Sequence, residues 1–307
     1  MSKKDTQKIF LVFNTSHLGD TLLCNSLCQN IKQLFPDSKI VFIANKPFYE
    51  AAKYQKDVDE VIVFDKFGKH KGLFARLKFI LNFPYKRADY AIVTYRNNTN
   101  SLIARLIMAK HLIECTTKHI PIPMQEHFIN LLSHITNNKI NKVPMKFEVT
   151  KDLPEQLADK FETGKKYISL CTLTNDTKKD IPFDTAKNII NILSDKNYNV
   201  VLLGQGQNAY EYSKNLKQEG CNFIDLINKT TIKEAGAVLK NCDALISADT
   251  GIMHLACAVA TPVVDVFYKK ESITQWAPDG ELYKSAVISE NQTAENICNT
   301  ALKLIEK

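Results

Sequence analysis

Short apolar runs alternate with longer amphipathic stretches along the N-terminal half of the chain. The runs that predict strands are Lys8–Phe13, Lys39–Ala44, Val61–Phe64 and Asp89–Tyr95. The stretches that predict helices are Asp20–Leu34, Arg76–Leu81, Ser101–Met108 and a segment near Glu126–Ile135. Because strands and helices alternate, this half predicts a parallel sheet covered by helices on both faces.

The alternation restarts after a polar, proline-punctuated region, Pro121–Pro154. The later strands are predicted at Tyr167–Cys171, Asn199–Leu203, Phe223–Leu226, Ala244–Ser247 and Val263–Phe267, with helices near 184–195, 207–218, 231–240 and 251–259. We therefore predict an α/β protein of two doubly wound, Rossmann-like domains, residues 1–155 and 156–307, with a final helix that can pack back on the N-terminal domain. Such domains bind ligands at the carboxyl ends of their strands, in a cleft.

Composition narrows the class of protein and of partner. The chain has 307 residues, 45% of them hydrophobic, and a net charge of +7, as expected of an ordinary globular protein with an anionic partner. Its eight cysteines form no Cys-x-x-Cys pair, so zinc and dithiol redox sites are not indicated. The apolar run Ile9–Phe13 is too short for a signal peptide, and we expect a cytoplasmic location.

The strongest local signal is the stretch SADTGIMHLACAVATPVVDVFY, residues 247–268. Asp249, Thr250 and Gly251 fall between a predicted strand and a predicted helix, and His254 follows one helical turn later. The amides and dipole of a helix N-terminus attract anions, which predicts a phosphate site there. The alternative is structural: Asp249 also suits an N-cap and Gly251 a turn.

Two further loops follow predicted strands and carry charge. Asp20 starts a predicted helix after the first strand and is either an N-cap or a carboxylate placed to act as a general base. Lys178 and Lys179 lie in the polar loop after Cys171. They either pair with a phosphate or are simply solvated.

The loop Gly204–Ala209 matches the Gly-x-Gly-x-x-Ala form of a dinucleotide fingerprint, with Asp225 about 20 residues further on. An NAD-dependent oxidoreductase is therefore the alternative from another class of function. Against it, the motif lies in the second predicted sheet instead of opening the chain.

The segment Lys66–Arg87 carries seven Lys or Arg residues and no acid, with apolar side chains interleaved. It is either a core-packed helix with a solvated basic face or a contact with a membrane surface or anionic lipid. The candidate contact residues are Lys69, Lys71, Arg76 and Lys78. Nucleic acid is not indicated, because the chain has no recognised reader motif.

Together these patterns resemble glycosyltransferase family 9, the lipopolysaccharide heptosyltransferases. The resemblance covers most of the chain and is concentrated in two places. The residues that carry it are Leu18-Gly19-Asp20-Thr21 with Phe35-Pro36-Asp37, Ala248–Ala256 with Thr261–Val264, Lys179 with Pro182, and Gln275-Trp276-Ala277-Pro278.

The resemblance implies a GT-B fold and an inverting enzyme that needs no metal or other cofactor. It implies Asp20 as the general base and Lys179 as a contact of the donor phosphates. It implies that Asp249, Thr250, Gly251 and His254 hold the nucleotide diphosphate; Gln207 and Glu211 are both candidates for the ribose. The implied donor is ADP-heptose, with another nucleotide sugar as the alternative. The implied acceptor is an anionic, lipid-linked saccharide of the lipopolysaccharide inner core, met at the inner face of the cytoplasmic membrane.

Overall fold

The computed structural model describes residues 7–95, 98–115 and 122–306. The chain divides into unit 1, Met1–Lys146, and unit 2, Phe147–Lys307, and each unit has its own sheet. The division falls inside the proline-punctuated region, earlier than the boundary expected after residue 155. The expected roles of the two halves, acceptor binding and donor binding, remain predictions.

Unit 1 alternates strands with helices. Its strands are β1 Ile9–Asn14, β2 Lys39–Ala44, β3 Glu60–Val63, β4 Tyr90–Val93 and β5 His111–Glu114. Its helices are α1 Leu18–Leu23, α2 Asn25–Leu34, α3 Tyr49–Lys53, α4 Leu73–Leu81, α5 Asn98–Leu106 and α6 Met124–Asn130, with short 3-10 turns at Lys46–Phe48 and Leu131–His134.

The sheet of unit 1 has the order β3-β2-β1-β4-β5, and every neighbouring pair is parallel. Residues 10–13 of the central strand β1 are completely buried, as expected of a parallel strand that is covered on both faces. Because β1 lies between β2 and β4, the loop that follows it emerges at the middle of the sheet's carboxyl edge. Asp20 lies just beyond this loop, in α1.

Unit 2 repeats the pattern. Its strands are β6 Lys166–Cys171, β7 Tyr198–Leu202, β8 Ile224–Asp225, β9 Ala244–Ala248, β10 Val263–Val266 and β11 Ser285–Ile288. Its helices are α7 Glu155–Ala158, α8 Phe183–Asp195, α9 Gln207–Gln218, α10 Ile232–Lys240, α11 Gly251–Ala258, α12 Ile273–Trp276 and α13 Ala294–Glu306, with 3-10 turns at Thr177–Lys179 and Lys270–Ser272.

The sheet of unit 2 has the order β11-β10-β9-β6-β7-β8, again with parallel neighbours. One of its faces is covered by α8 and α13, whose buried side chains, such as Ile189 and Ile297, join a single apolar core with Ile246 and Val264 of the strands. The final helix therefore packs on α8 and on the sheet of unit 2. Burying this much apolar surface is the main force that holds the layers together.

The predicted class, α/β with doubly wound parallel sheets, is confirmed. The sequence patterns missed β5 and β11, which are four residues long and lie at sheet edges. They also predicted one helix over Asp20–Leu34, where the structure has α1 and α2 with the junction at Cys24. No proline or glycine marks this junction, so the sequence carries no signal for it.

Candidate functional site

Three loops of unit 2 start side by side at the carboxyl edge of its sheet. β10, β9 and β6 are consecutive in the sheet order and parallel, so the loops that follow them emerge together. The loop after β6 carries Lys179, the loop after β9 carries Asp249, and the loop after β10 carries Ser272. The topology thus brings together residues that lie up to 93 positions apart in the sequence, since Ser272 follows Lys179 by that number.

Lys179 and Asp249 form a largely buried ion pair. The Nζ atom of Lys179 donates a hydrogen bond to Oδ2 of Asp249 at 2.6 Å, and Oγ of Ser272 donates to the same oxygen at 2.9 Å. Asp249 is 8% exposed. An ammonium group has three N–H donors, so Lys179 keeps donors for a second anion while Asp249 fixes its position. Lys179 and Asp249 are among the site residues predicted from the sequence, whereas Ser272 is not.

The N-terminus of α11 lies directly beyond Asp249. Thr250 is its N-cap residue in an extended conformation, its side chain makes no capping hydrogen bond, and Gly251 is the first helical residue. The first amides of a helix have no partner within the helix and carry the positive end of its dipole. Lys179 and this helix end therefore give the same edge of the sheet a positive character. His254 lies one turn further along α11 and is buried.

A second carboxyl group lies in the same sheet, on β10. In the strand register, Asp265 lies opposite Ser247 of β9. The residue is 0% exposed, and neither of its carboxyl oxygens has a hydrogen-bond partner among the described residues. Burial raises the pKa of Asp265 well above its usual value, and the nearby charge of Asp249 raises it further, whereas Lys179 lowers it. The apolar run Val263–Phe267 predicted only a buried strand. The presence of Asp265 within that run was the signal for a buried carboxyl group.

The loops after β6 and β10 are also linked at the surface. Nζ of Lys269 lies 3.7 Å from Oδ2 of Asp176. Both side chains are about half exposed, and ion pairs of this kind contribute little to stability. Lys269 adds a second cation near this edge, and the sequence analysis did not single it out.

Asp225, the acid that would complete a dinucleotide site with the loop Gly204–Ala209, is bound by other groups of unit 2. Asp225 accepts hydrogen bonds from the side chains of Ser213 and Lys217 and from the amide of Ile227. Its carboxylate is therefore engaged within unit 2. The two ribose candidates, Gln207 and Glu211, are exposed in the first turns of α9 and hydrogen-bonded to each other at 2.7 Å.

In unit 1, Asp20 is buried near the N-terminus of α1 and is 5% exposed. Its Oδ2 accepts a hydrogen bond from the amide of His17 at 3.3 Å. Its Oδ1 has no hydrogen-bond partner among the described residues. The structural alternative, an N-terminal capping role, is thus present; it occupies one carboxylate oxygen and leaves the other buried without a hydrogen-bond partner among the described residues.

The surroundings of Asp20 are polar. Nδ1 of the exposed His17 ring lies 3.7 Å from Oδ2 of Asp20, and this interaction raises the pKa of His17. Nζ of Lys66 donates to the carbonyl oxygen of Thr15 at 2.7 Å, and burial lowers the pKa of Lys66. The Nδ2 atom of Asn14 donates to the carbonyl of Asp20 itself. These contacts hold the loop after β1 in one conformation around the carboxylate.

The basic segment of unit 1 contains α4. Lys69, Lys71 and Lys78 are exposed, whereas Arg76 is half-buried. The helix begins at Leu73 and not at Arg76 as the sequence pattern predicted. The expectation of a plain amphipathic helix with a basic outer face is too simple, because apolar side chains are exposed on α4 as well.

The described residues contain neither a metal-binding cluster nor a membrane-spanning helix. Among residues 7–95, 98–115 and 122–306 there is no cluster of three or more His, Cys, Asp or Glu side chains arranged to hold a metal ion. No helix in these ranges combines the length and the apolar character that crossing a bilayer requires.

Comparison with known proteins agrees with these features. The model of glycosyltransferase family 9 (heptosyltransferase) matches residues 105–305. Lipooligosaccharide heptosyltransferase 2 of Campylobacter jejuni is 24% identical over 273 residues, 85% of this chain and 80% of that protein. The crystal structure of a family 9 glycosyltransferase from Veillonella parvula superposes with a TM-score of 0.87 at 17% identity, covering 99% of both chains. An E. coli heptosyltransferase with ADP-2-deoxy-2-fluoro heptose superposes with a TM-score of 0.71 at 18% identity, covering 96% of this chain and 98% of that one.

The match extends over about two thirds of the chain and includes the segment Ala248–Ala256 that carries the resemblance in the sequence. It leaves the dinucleotide reading of Gly204–Ala209 without support, in agreement with the engaged Asp225. The resemblance stated from the sequence and the expected GT-B fold are both confirmed. The chain belongs to glycosyltransferase family 9, the heptosyltransferase family, and is a glycosyltransferase.

Proposed function

We propose that this glycosyltransferase moves a heptose from ADP-heptose to the inner core of lipopolysaccharide, with inversion at the anomeric carbon and without a metal ion. The observation that carries the proposal is the pair Lys179–Asp249 beside the N-terminus of α11. The choice of donor is supported by the E. coli heptosyltransferase of similar fold, which is bound to an ADP-heptose analogue.

On the donor side, the leaving group is a nucleoside diphosphate whose negative charge grows as the glycosidic bond breaks. Lys179, held by Asp249, and the amides of Thr250 and Gly251 supply fixed positive character for that charge. Such preorganised groups stabilise a transition state without any reorganisation during the step. His254 would complete the diphosphate site, and Gln207 or Glu211 would bind the ribose hydroxyls.

The chemical step is a single displacement. The acceptor hydroxyl oxygen forms a bond to the anomeric carbon on the face opposite the diphosphate. The bond from that carbon to the β-phosphate oxygen breaks, and its electron pair leaves with ADP. The hydroxyl proton passes to Oδ1 of Asp20, the carboxylate oxygen without a protein partner among the described residues.

The acceptor in this proposal is an anionic, lipid-linked saccharide. It fits a chain of net charge +7 whose unit 1 carries the basic segment Lys66–Arg87. The protein would act in the cytoplasm, bound peripherally at the inner face of the cytoplasmic membrane, with Lys69, Lys71, Arg76 and Lys78 among the residues that face the acceptor or the lipid.

The test is a transfer assay with ADP-heptose and a lipopolysaccharide core that lacks the heptose, in excess EDTA. We expect the acceptor to gain the mass of one heptose, and the anomeric proton of the product to show inverted configuration. Transfer from UDP-sugars or GDP-sugars alone would replace the donor, and transfer that requires an added divalent cation would overturn the metal-free mechanism. Binding of NAD without ADP would contradict the assignment of the α11 site.

A further inference from the structure

Helix α4 of unit 1 exposes apolar side chains on the face that points away from the core. Leu73, Phe74 and Leu81 are 65%, 87% and 70% exposed. Together with Leu77 and Lys78 they occupy positions i, i+1, i+4, i+5 and i+8, which form one side of a helix. We call this side the α4 face.

The side of α4 that adjoins this face holds the helix in place. Ile80, and Phe83 just beyond the helix, are buried in the core of unit 1, and Phe79 packs against the same core. The helix is therefore apolar on both sides, and one apolar side is in contact with water. Large exposed apolar patches of this kind mark interaction sites.

Neighbouring residues enlarge the apolar area. Phe67, in the loop before α4, is 74% exposed. The next helix, α5, packs against α4 and exposes Leu102 and Leu106 on its own outer side, one helical turn apart. Exposed apolar side chains are thus found on both helices of this part of unit 1.

Positive charge surrounds the α4 face. Lys69, Lys71 and Lys78 are exposed, and none of them forms an ion pair with an acid in the part of the chain that the structure describes. The whole segment Lys66–Arg87 has no acidic residue. An apolar helix face within a purely basic segment is typical of helices that lie in the interface of an anionic membrane, where lysine ammonium groups reach the phosphates.

A second copy of this chain fits the surface less well. In a symmetric dimer the same surface of each copy would face the other. The seven Lys and Arg residues of one segment would then repel the seven of the other, because the segment has no acid to balance them. An anionic lipid surface offers both the apolar interior and the compensating charge. At nine residues α4 is also too short to span a bilayer and suits an orientation in the plane of the interface.

We propose that the α4 face docks on an anionic membrane surface, with Phe74, Leu73 and Leu81 inserted among the lipid headgroups and Lys69, Lys71 and Lys78 at the phosphates. The inference rests on the proposed function in one respect: the proposed function explains why the protein would dock, namely to reach a lipid-linked acceptor. The docking itself is measurable without the reaction.

The experiment is co-sedimentation of the full chain with vesicles of phosphatidylcholine alone or mixed with phosphatidylglycerol. We expect binding to the mixed vesicles, weaker at high salt, and a loss of about tenfold or more in partitioning for Phe74→Ser with Leu81→Ser. Replacing Lys69, Lys71 and Lys78 by Gln should remove the preference for the anionic lipid. The matched control is Tyr210→Ser in unit 2, which removes an aromatic ring that is 52% exposed. We expect this change to leave binding to the vesicles unaltered.

Several outcomes would overturn the proposal. They are no binding of the wild type to mixed vesicles, an equal loss for Tyr210→Ser, or a lipid-free dimer that Phe74→Ser with Leu81→Ser separates. Transfer to a water-soluble, delipidated acceptor keeps the two proposals apart. Phe74→Ser with Leu81→Ser should retain that activity, and a wild type that binds vesicles without transferring heptose would contradict the proposed function alone.

Discussion

Asp20 of unit 1 and Asp249 of unit 2 both lie between a central parallel strand and the helix that follows it, Asp20 as the third residue of α1 and Asp249 directly after β9. Both are buried, at 5% and 8% exposure. Their partners differ: Oδ2 of Asp249 is shared by an ammonium group and a hydroxyl, whereas Oδ1 of Asp20 has no hydrogen-bond partner among the described residues. A carboxylate near the start of a helix thus anchors a cation in unit 2, whereas in unit 1 it keeps one oxygen without a hydrogen-bond partner among the described residues.

This contrast underlies our proposal that nucleotide binding and the chemical step depend on different units. Oδ2 of Asp249 already accepts hydrogen bonds from Lys179 and Ser272. Oδ1 of Asp20 has no such donor among the described residues. We therefore expect changes at Asp20 to affect the rate of transfer and changes around Asp249 to affect the affinity for the nucleotide.

The largest expected effect is that of Asp20→Asn. The substitution keeps the shape of the side chain and removes its basicity, so kcat should fall by about 10²- to 10⁴-fold while the affinity for ADP stays the same. Steady-state kinetics and ADP titration would measure the two quantities. As a matched control, Asp225→Asn in unit 2 should leave kcat within a few-fold of the wild type; full activity of Asp20→Asn would rule out its role as the base.

The next effect is that of Lys179→Gln. Losing a charge-assisted contact with the diphosphate should weaken ADP binding by about 10- to 100-fold. Asp249→Asn should weaken it less, because the ammonium group remains and loses only its anchor. Both are measured by calorimetric titration; unchanged affinity in Lys179→Gln would show that the pair Lys179–Asp249 is structural only.

Asp265→Val probes the third buried acid. Unlike Asp249 and Asp20, Asp265 accepts no hydrogen bond among the described residues. Because folding raises the pKa of Asp265, the wild type loses stability as the pH rises above the usual carboxyl value of 3.8. Val removes this loss, so the variant should be more stable at neutral pH by about 1–3 kcal/mol, with a smaller gain at low pH, where the carboxyl group is neutral but still without a hydrogen-bond partner. Urea denaturation at several pH values measures this, and a variant less stable at every pH would show that the carboxyl group has an important partner.

Ser272→Ala is a milder change at the same cluster. It removes one of the two side-chain donors to Oδ2 of Asp249 and leaves the ion pair with Lys179. A single hydrogen bond contributes about 1 kcal/mol to stability, so the free energy of unfolding should fall by about that amount and ADP affinity by no more than roughly fivefold. Thermal stabilisation by ADP would detect this; an effect as large as that of Lys179→Gln would mean that Ser272 contacts the nucleotide itself.

The smallest effect is at His17. Contact with the Asp20 carboxylate raises the pKa of His17 above its usual 6.5, and Asp20→Asn should bring it back towards that value. Titration of the ring protons by NMR measures the shift without any assay of activity. An equal pKa in the two proteins would show that the ring and the carboxylate are not in contact in solution.

The strand-turn-helix around Asp249, Thr250 and Gly251 was predictable, because apolar runs of strand length flank a short polar turn. The contact of Lys179 with Asp249 and Ser272 was not. It depends on β6, β9 and β10 being neighbours in the sheet, and strand order is a property of the tertiary structure that no local pattern contains. The family resemblance indicated roles for Lys179 and Asp249 but gave no reason to pair them.

Two other features show the same limit. Asp225 has the spacing of a dinucleotide-binding acid, yet Ser213 and Lys217 bind its carboxylate from the neighbouring helix α9. In α4, hydrophobic periodicity cannot tell which of two apolar sides is buried. In the structure Ile80 is buried in the core of unit 1, whereas Phe74 is exposed to solvent. In both cases packing decides between alternatives that the sequence leaves open.

The most direct test of the division between binding and chemistry is calorimetric titration of ADP, in EDTA, into the wild type, Asp20→Asn and Lys179→Gln. We predict the same dissociation constant for the wild type and Asp20→Asn, and a clearly larger one for Lys179→Gln. If Asp20→Asn weakened ADP binding as much as Lys179→Gln, or if Lys179→Gln bound ADP like the wild type, the two acids would not have the separate roles assigned to them.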